Sequence, residues 1–256
     1  PVSEHGNLRL ETDSRFTRIS LAVDAVSGGG HVSLVADAGM QISGTVSAVD
    51  GTVYMSAGGA VETAVTAEIA TAGGNVRVAA GGELVVGHID TRTSADVATQ
   101  GTWGRVSLSA SGLIRDADAE DGRGDETDID VSALAARFEA AGVGEFDGDS
   151  FERTDQFNEL ETELETLATD AGDGDVNIAD ATAVSAGAVS AVTVQRVARD
   201  GTDSAITEDA GTLTGHVGDG EVLVLSGAAE MAVSDLAVRR VTTGDWARVP
   251  ASVSNS

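Results

Sequence analysis

The chain has 256 residues, with 42 acidic side chains against 15 basic ones, a net charge of −27 and no cysteine. Every one of those basic residues is arginine, and lysine is absent. A field of this sign repels nucleic acid and anionic lipid, the missing thiols exclude disulfides and thiolate metal sites, and no apolar run approaches the roughly 18 residues that span a bilayer.

From its first residues the chain repeats a short phrase: glycine, any residue, an aliphatic, any residue, an aliphatic, any residue, a small residue. A worn copy is Gly6-Asn7-Leu8-Arg9-Leu10, and clear copies run from Gly30 to Ala36, Gly51 to Ala57, Gly74 to Ala80 and Gly104 to Ala110. Ile129-Asp130-Val131-Ser132-Ala133 reads as a further copy with Thr127 in place of the glycine, and later ones begin at Gly174 and Gly220. Val32 to Val53 spans 21 residues and Val53 to Val76 spans 23. Alternating aliphatics predict strands with one buried face, and a repeat of about this length predicts a β-solenoid whose coils bury their inner faces against their neighbours. The glycine suits a tight bend with positive φ.

Inward positions are then expected to stack. One ladder is Leu8, Val32, Val53, Val76, Val106, Ile129, Val176 and Val222; the next is Leu10, Leu34, Met55, Val78, Leu108, Val131, Ile178 and Val224. A third, of corner alanines, is Ala36, Ala57, Ala80, Ala110 and Ala133. Weaker apolar stretches at Met40 and Ile42, Val61 and Val65, Leu84 and Val86, and Leu113 and Ile114 supply the other sides of each coil. Links too long for two-residue turns favour parallel coiling over hairpins.

Two inserts interrupt the rhythm. The first, 115–128, carries Asp116, Asp118, Glu120 and Asp121. Carboxylates at alternating positions before a glycine match the start of a calcium loop, where hard oxygens wrap the ion. Gly122 falls one place late for an EF-hand, however, and the plainer reading is a solvated acidic loop. The same insert holds Arg123-Gly124-Asp125, an integrin-type tripeptide that also arises by accident in acidic, glycine-rich loops. The second insert, 143–173, places Phe157, Leu160, Leu164 and Leu167 at helical spacing and predicts a helix over 156–169. It ends at Gly172-Asp173-Gly174-Asp175, where Asp173 and Asp175 match one unit of a calcium-binding nonapeptide repeat. The whole reads as a solenoid over 1–238 followed by a tail or linker at 239–256. Its opening on Pro1, with no signal-peptide pattern, reads as a piece of something longer.

Catalytic patterns are not evident. The outward positions Arg9, Ser33, Tyr54, Arg77, Ser107, Asp130, Asn177 and Leu223 form no row of paired acids. Asp128 and Asp130 beside Arg105 read as an ion pair between coils. His5, His31, His88 and His216 lack any His-x-His spacing, and Trp103 and Trp246 read as packing or capping residues.

Ala141-Gly142-Val143-Gly144, Leu160-Glu161-Thr162, Leu164, Leu167-Ala168 and Gly174-Asp175-Val176-Asn177-Ile178-Ala179 together resemble the recurring unit of very large repetitive bacterial surface exoproteins, similar to filamentous haemagglutinin-type adhesins. The resemblance covers about residues 100–195, without the proline that often precedes the Leu-Glu-Thr. It implies an all-β, right-handed parallel β-helix in a secreted or surface-anchored protein, bacterial or archaeal, of structural or adhesive role. The expected partners are other copies, neighbouring repeats of a longer chain or cell-surface glycans. The expectation is a non-enzymatic extracellular module, able to form filaments, with calcium as its one candidate cofactor. The alternative is a calcium-stabilised β-helix that binds or cleaves acidic polysaccharide. The acidity itself fits either adaptation to high salt or cation binding.

Overall fold

A computed structural model describes residues 2–3, 6–14, 17–22, 24–27, 29–118, 129–144, 159–218, 222–226 and 232–233. Within them the alternating aliphatics form short strands that stack in parallel, and each strand up to His88–Asp90 pairs with the one three further along the chain. One stack contains Leu8–Glu11, Val32–Ala36, Val53–Ala57, Val76–Ala80 and Arg105–Ala110. A second contains Ile19–Leu21, Met40–Ile42, Val61–Thr63, Leu84–Val86, Leu113–Asp116 and Gly142–Val143. The third contains Val2–Ser3, Ala25–Ser27, Val46–Ala48, Glu68–Thr71 and His88–Asp90. Of the described strands, 23 make one parallel sheet, and four more form two antiparallel pairs. A single 3-10 turn, Val97–Thr102, is the one helical element among the described residues; Asp96 caps it by accepting from Ala98 N–H at 3.0 Å.

Register is residue for residue. Val32 pairs with Val53, Val53 with Val76 and Val76 with Val106, while Leu34, Met55, Val78 and Leu108 follow two places on. These side chains are fully buried, each contributing roughly 1.5–3 kcal/mol by leaving water. The corner alanines Ala36, Ala57, Ala80 and Ala110 pair in the same order.

The phrase glycine has a different cause from the one its sequence context suggested. Positive φ occurs at Gly73 (92°), not at Gly30, Gly51, Gly74, Gly104 or Gly174. Those glycines instead lie against the backbone of the preceding coil. A Cβ at Gly51 would collide with the Gly30 carbonyl oxygen, one at Gly74 with that of Gly51, and one at Gly104 with that of Gly74. Buried hydroxyls hold the same corner: Ser27 Oγ accepts from Gly30 N–H (3.1 Å), and Thr71 Oγ1 donates to the Gly74 carbonyl (2.6 Å).

Two expectations are corrected. The segment expected as a helix over 156–169 is, over its described part, the strand Leu160–Gly172. Its Leu160, Thr162 and Leu164 face inward at strand spacing, and Leu167, Thr169 and Ala171 do so again after a one-residue slip. That slip marks a corner, because pairing with Val131–Glu139 skips Glu165 and resumes at Thr166. Two runs of period 2 joined by a slip mimic the three- and four-residue spacings of a helix. The same corner displaces the Ile129–Ala133 copy. Val131 pairs with Ile89 on the third stack, while Ala136 and Phe138 continue the ladders of Val106 and Leu108. Val176 likewise pairs with Val143 and Val222, extending the second stack rather than the first.

Candidate functional site

The acidic residues singled out by pattern divide in three. Glu120, Asp121 and the Arg123-Gly124-Asp125 tripeptide lie outside the described residues. Asp173 and Asp175 are exposed beside Gly172 (φ 56°), at the turn into Val176–Asp180, and belong to neither candidate metal-binding group found among the described residues. Asp116 is buried at the end of its strand, with one carboxylate oxygen accepting from the Asp118 N–H at 2.9 Å.

What the fold brings to Asp116 is Asp130 and Glu161, whose carboxylates approach it and one another within 4.8 Å. Asp130 faces acids rather than Arg105: its Oδ2 accepts from the Glu161 N–H at 2.9 Å. Asp130 immediately precedes the strand Val131–Glu139, Glu161 lies in the adjacent strand Leu160–Gly172, and Asp116 ends a strand of the second stack, so the trio forms only when the coils stack. Burial, then the charges of Asp116 and Glu161, push the Asp130 carboxyl well above its usual range, and burial also raises Asp116. An all-oxygen donor set of this kind suits a hard cation such as calcium.

Asp180 is a second buried carboxyl. It accepts from Thr162 Oγ1 (2.8 Å), Leu164 N–H (2.9 Å) and Thr182 N–H (2.9 Å), yet burial pushes it up to about 6. All three raised carboxyls bind protons more tightly in the fold than in the unfolded chain. The stability this gives is complete below the ordinary aspartate value of 3.8 and fades as pH rises through the folded values, near 6 for Asp180. Asp130→Asn keeps an acceptor for Glu161 N–H and presents an amide donor to the neighbouring acids. In chelator at pH 8 it is expected to raise the melting midpoint by roughly 2–4 °C, with a smaller gain at pH 4.5, where less of the raised Asp130 carboxyl is charged; thermal melts at the two pH values check this.

A hairpin that the periodicity did not predict covers the outer face of the first stack. Ala188–Val189 pairs antiparallel with Leu213–Thr214, and Val194–Val197 with Asp203–Ile206. The outward row beneath it, Ser33, Tyr54, Arg77, Ser107 and Arg137, is therefore buried. From one end to the other, Arg137 Nη1 donates to the Gly211 carbonyl, and Asp209 accepts from Ser107 Oγ (2.9 Å), Arg77 Nε (3.1 Å) and Val192 N–H (2.7 Å). Glu208 accepts from Arg77 Nη1 (2.9 Å) and Tyr54 OH (3.1 Å). Ser33 Oγ accepts from Val197 N–H (2.9 Å), and Asn7 Nδ2 donates to the Gly201 carbonyl (2.9 Å). Arg9 and Arg199 both bind Glu11, holding its carboxyl down to about 2. The hairpin thus reaches from Arg137 back to Asn7, crossing the coils instead of joining them. Its tip carries Asp200-Gly201, with φ 84° at the glycine, a turn pair that signals a hairpin in sequence.

No family model, curated protein or solved structure matches the chain.

Proposed function

We propose that this chain is a right-handed parallel β-helix of roughly 20–23-residue coils that serves as a structural or adhesive module of a large secreted or cell-surface protein. The observation that carries the reading is the hairpin over the first stack. Groove-type sites on a stacked sheet need an open row of side chains on successive strands, and here the hairpin occupies the row from Ser33 to Arg137. Buried like-on-like ladders beneath a fixed cover favour rigidity. The dense negative surface suits an exposed, saline setting, where screening relieves its self-repulsion.

Such a module should behave as a rod that presents its ends and uncovered sides to other copies, to neighbouring repeats or to glycans. Small-angle scattering and negative-stain images should give a stiff particle, with specific retention on a glycan array or end-to-end association. A flexible or spherical particle overturns the reading.

The carboxylate trio favours one second reading, a calcium-stabilised β-helix that binds or cleaves acidic polysaccharide. On that reading calcium raises the melting midpoint of the wild type but not of Asp130→Asn. Release of unsaturated sugars from an acidic polysaccharide would replace the structural reading with this one.

A further inference from the structure

We propose a binding site for a single borderline divalent cation of the zinc class, formed by Glu68, His88 and Asp90 on the outer face of the third stack. This site is separate from the carboxylate trio and independent of the module's proposed role. Glu68 and His88 are direct partners on adjacent parallel strands, and Asp90 follows two residues after His88. Alternation puts Ile89 in the core and all three polar side chains outside it, half-buried. One ring nitrogen and one oxygen from each carboxylate lie within 4.8 Å of one another. Neighbouring strands are about 4.8 Å apart, a separation that long side chains close readily around an ion bound at about 2.1 Å.

Two contacts from outside the trio set its ligand chemistry. His88 Nδ1 lies 2.5 Å from the Ile129 carbonyl oxygen. A carbonyl only accepts, so Nδ1 carries a proton, which in the neutral imidazole leaves the lone pair on Nε2, the tautomer a metal-bound imidazole requires. Asp90 is held from behind by Arg92, whose Nη2 donates to Oδ2 at 2.7 Å and whose Nε donates to Oδ1 at 3.0 Å. A second acid, Glu163, accepts from Arg92 Nη1 at 3.1 Å. Arg92 is therefore balanced by one of the two acids, and Glu68 with the remaining one supplies two negative charges to match a divalent cation. The Arg92 backbone N–H also donates to Asp90 Oδ1, at 2.8 Å, so Arg92 fills Oδ1 and the lone pair left for an ion lies on Oδ2. Backing of this sort, a carbonyl behind the histidine and a hydrogen-bond donor behind the acid, is how ligand sets are oriented before the ion arrives. The imidazole makes the set softer than the all-oxygen trio and selects zinc-class ions over calcium.

His31 provides the contrast. Its Nδ1 accepts from Thr52 N–H at 3.0 Å, and it belongs to neither candidate group among the described residues.

The test is a zinc titration of the untagged chain against a chromophoric chelator, with cobalt substitution read by visible absorption. The expected result is one saturable equivalent, at least about tenfold weaker in both Glu68→Gln and His88→Gln, unchanged in His31→Gln and not displaced by excess calcium. Circular dichroism establishes that each variant is folded, and the half-exposed Glu68 makes Glu68→Gln the variant least able to perturb the fold. Absence of saturable binding overturns the proposal, as does binding that survives in both variants. Loss of binding in Asp130→Asn with retention in His88→Gln also overturns it, since the ion would then belong to the carboxylate trio.

Discussion

Asp209→Ala is expected to undock the hairpin and cost about 3–5 kcal/mol, the range for removing one partner from a buried ion pair. The Asp209 side chain is 1% exposed and accepts from Arg77, Ser107 and Val192 while lying 3.8 Å from Arg137 Nε. Without it, two arginines buried on the outer face lose a shared counter-charge. Arg77 keeps Glu208 and Arg137 keeps Glu139 and the Gly211 carbonyl, so the residual pairs limit the loss without cancelling it. The hairpin joins the sheet through its two ends, and it can therefore release while the parallel ladders persist. Trypsin provides the readout, because Arg196 and Arg199 both lie in the hairpin. Nicking there should accelerate, and amide exchange should rise across 192–209, while the protection of Val53–Ala57 and Val76–Ala80 stays near the wild-type level. Asp209→Asn, which retains an acceptor for Val192 N–H, should fall between the two. Wild-type protection of the hairpin in Asp209→Ala would mean that its apolar residues, Val192 and Val194 packed on Tyr54, hold it without the ion pairs.

That hairpin also changes how the coils should unfold. In stacked-repeat proteins each unit touches only its neighbours, and unfolding can begin at either end and spread. Here Asn7 binds the tip at Gly201 and Asp203, whereas Thr169 meets the far end, its N–H donating to the Gly215 carbonyl. The first coils therefore cannot fray without breaking contacts to residues almost 200 positions away.

The alternation of Val32, Leu34 and Ala36 and its return at Val53, Met55 and Ala57 made the parallel ladders legible, because a period of 2 and a fixed repeat follow directly from strand geometry and stacking. Corners were not legible. At Leu134 and Glu165 a strand turns from one stack to the next, the phase slips by one residue, and sequence alone gives the spacing of a helix. Asp116 was singled out for the acids around it in sequence, but its partners Asp130 and Glu161 come from later coils. His88 has no second histidine at i+2 or i+4 to mark it as a ligand, and of its two partners Asp90 is an ordinary strand neighbour while Glu68 lies one coil away. The covering hairpin was hidden by its own composition: its valines alternate like those of the coils, and only Asp200-Gly201 marks the reversal.

Gly74→Ala should destabilise the fold by about 3 kcal/mol, lowering the melting midpoint by roughly 6–12 °C, although it adds a single methyl group. The cost arises from backbone, not from conformational preference, since Gly74 lacks a positive φ. Its missing Cβ is the space taken by the Gly51 carbonyl oxygen, and the Gly74 carbonyl in turn fills the corresponding space at Gly104. A side chain at Gly74 must therefore push two successive coils apart at a corner tied by Thr71 Oγ1 and Thr91 Oγ1, which donate to the Gly74 and Gly104 carbonyls. Carbonyl groups bonded into a stack cannot turn aside as a flexible side chain would. Gly101→Ala is the matched comparison: its Cβ would meet nothing within 4 Å, and its effect should stay within about 0.5 kcal/mol. Chemical denaturation of the two variants decides the matter. Equal midpoints would show that the coils can separate at no cost, and the recurring glycine would then need an explanation other than close approach.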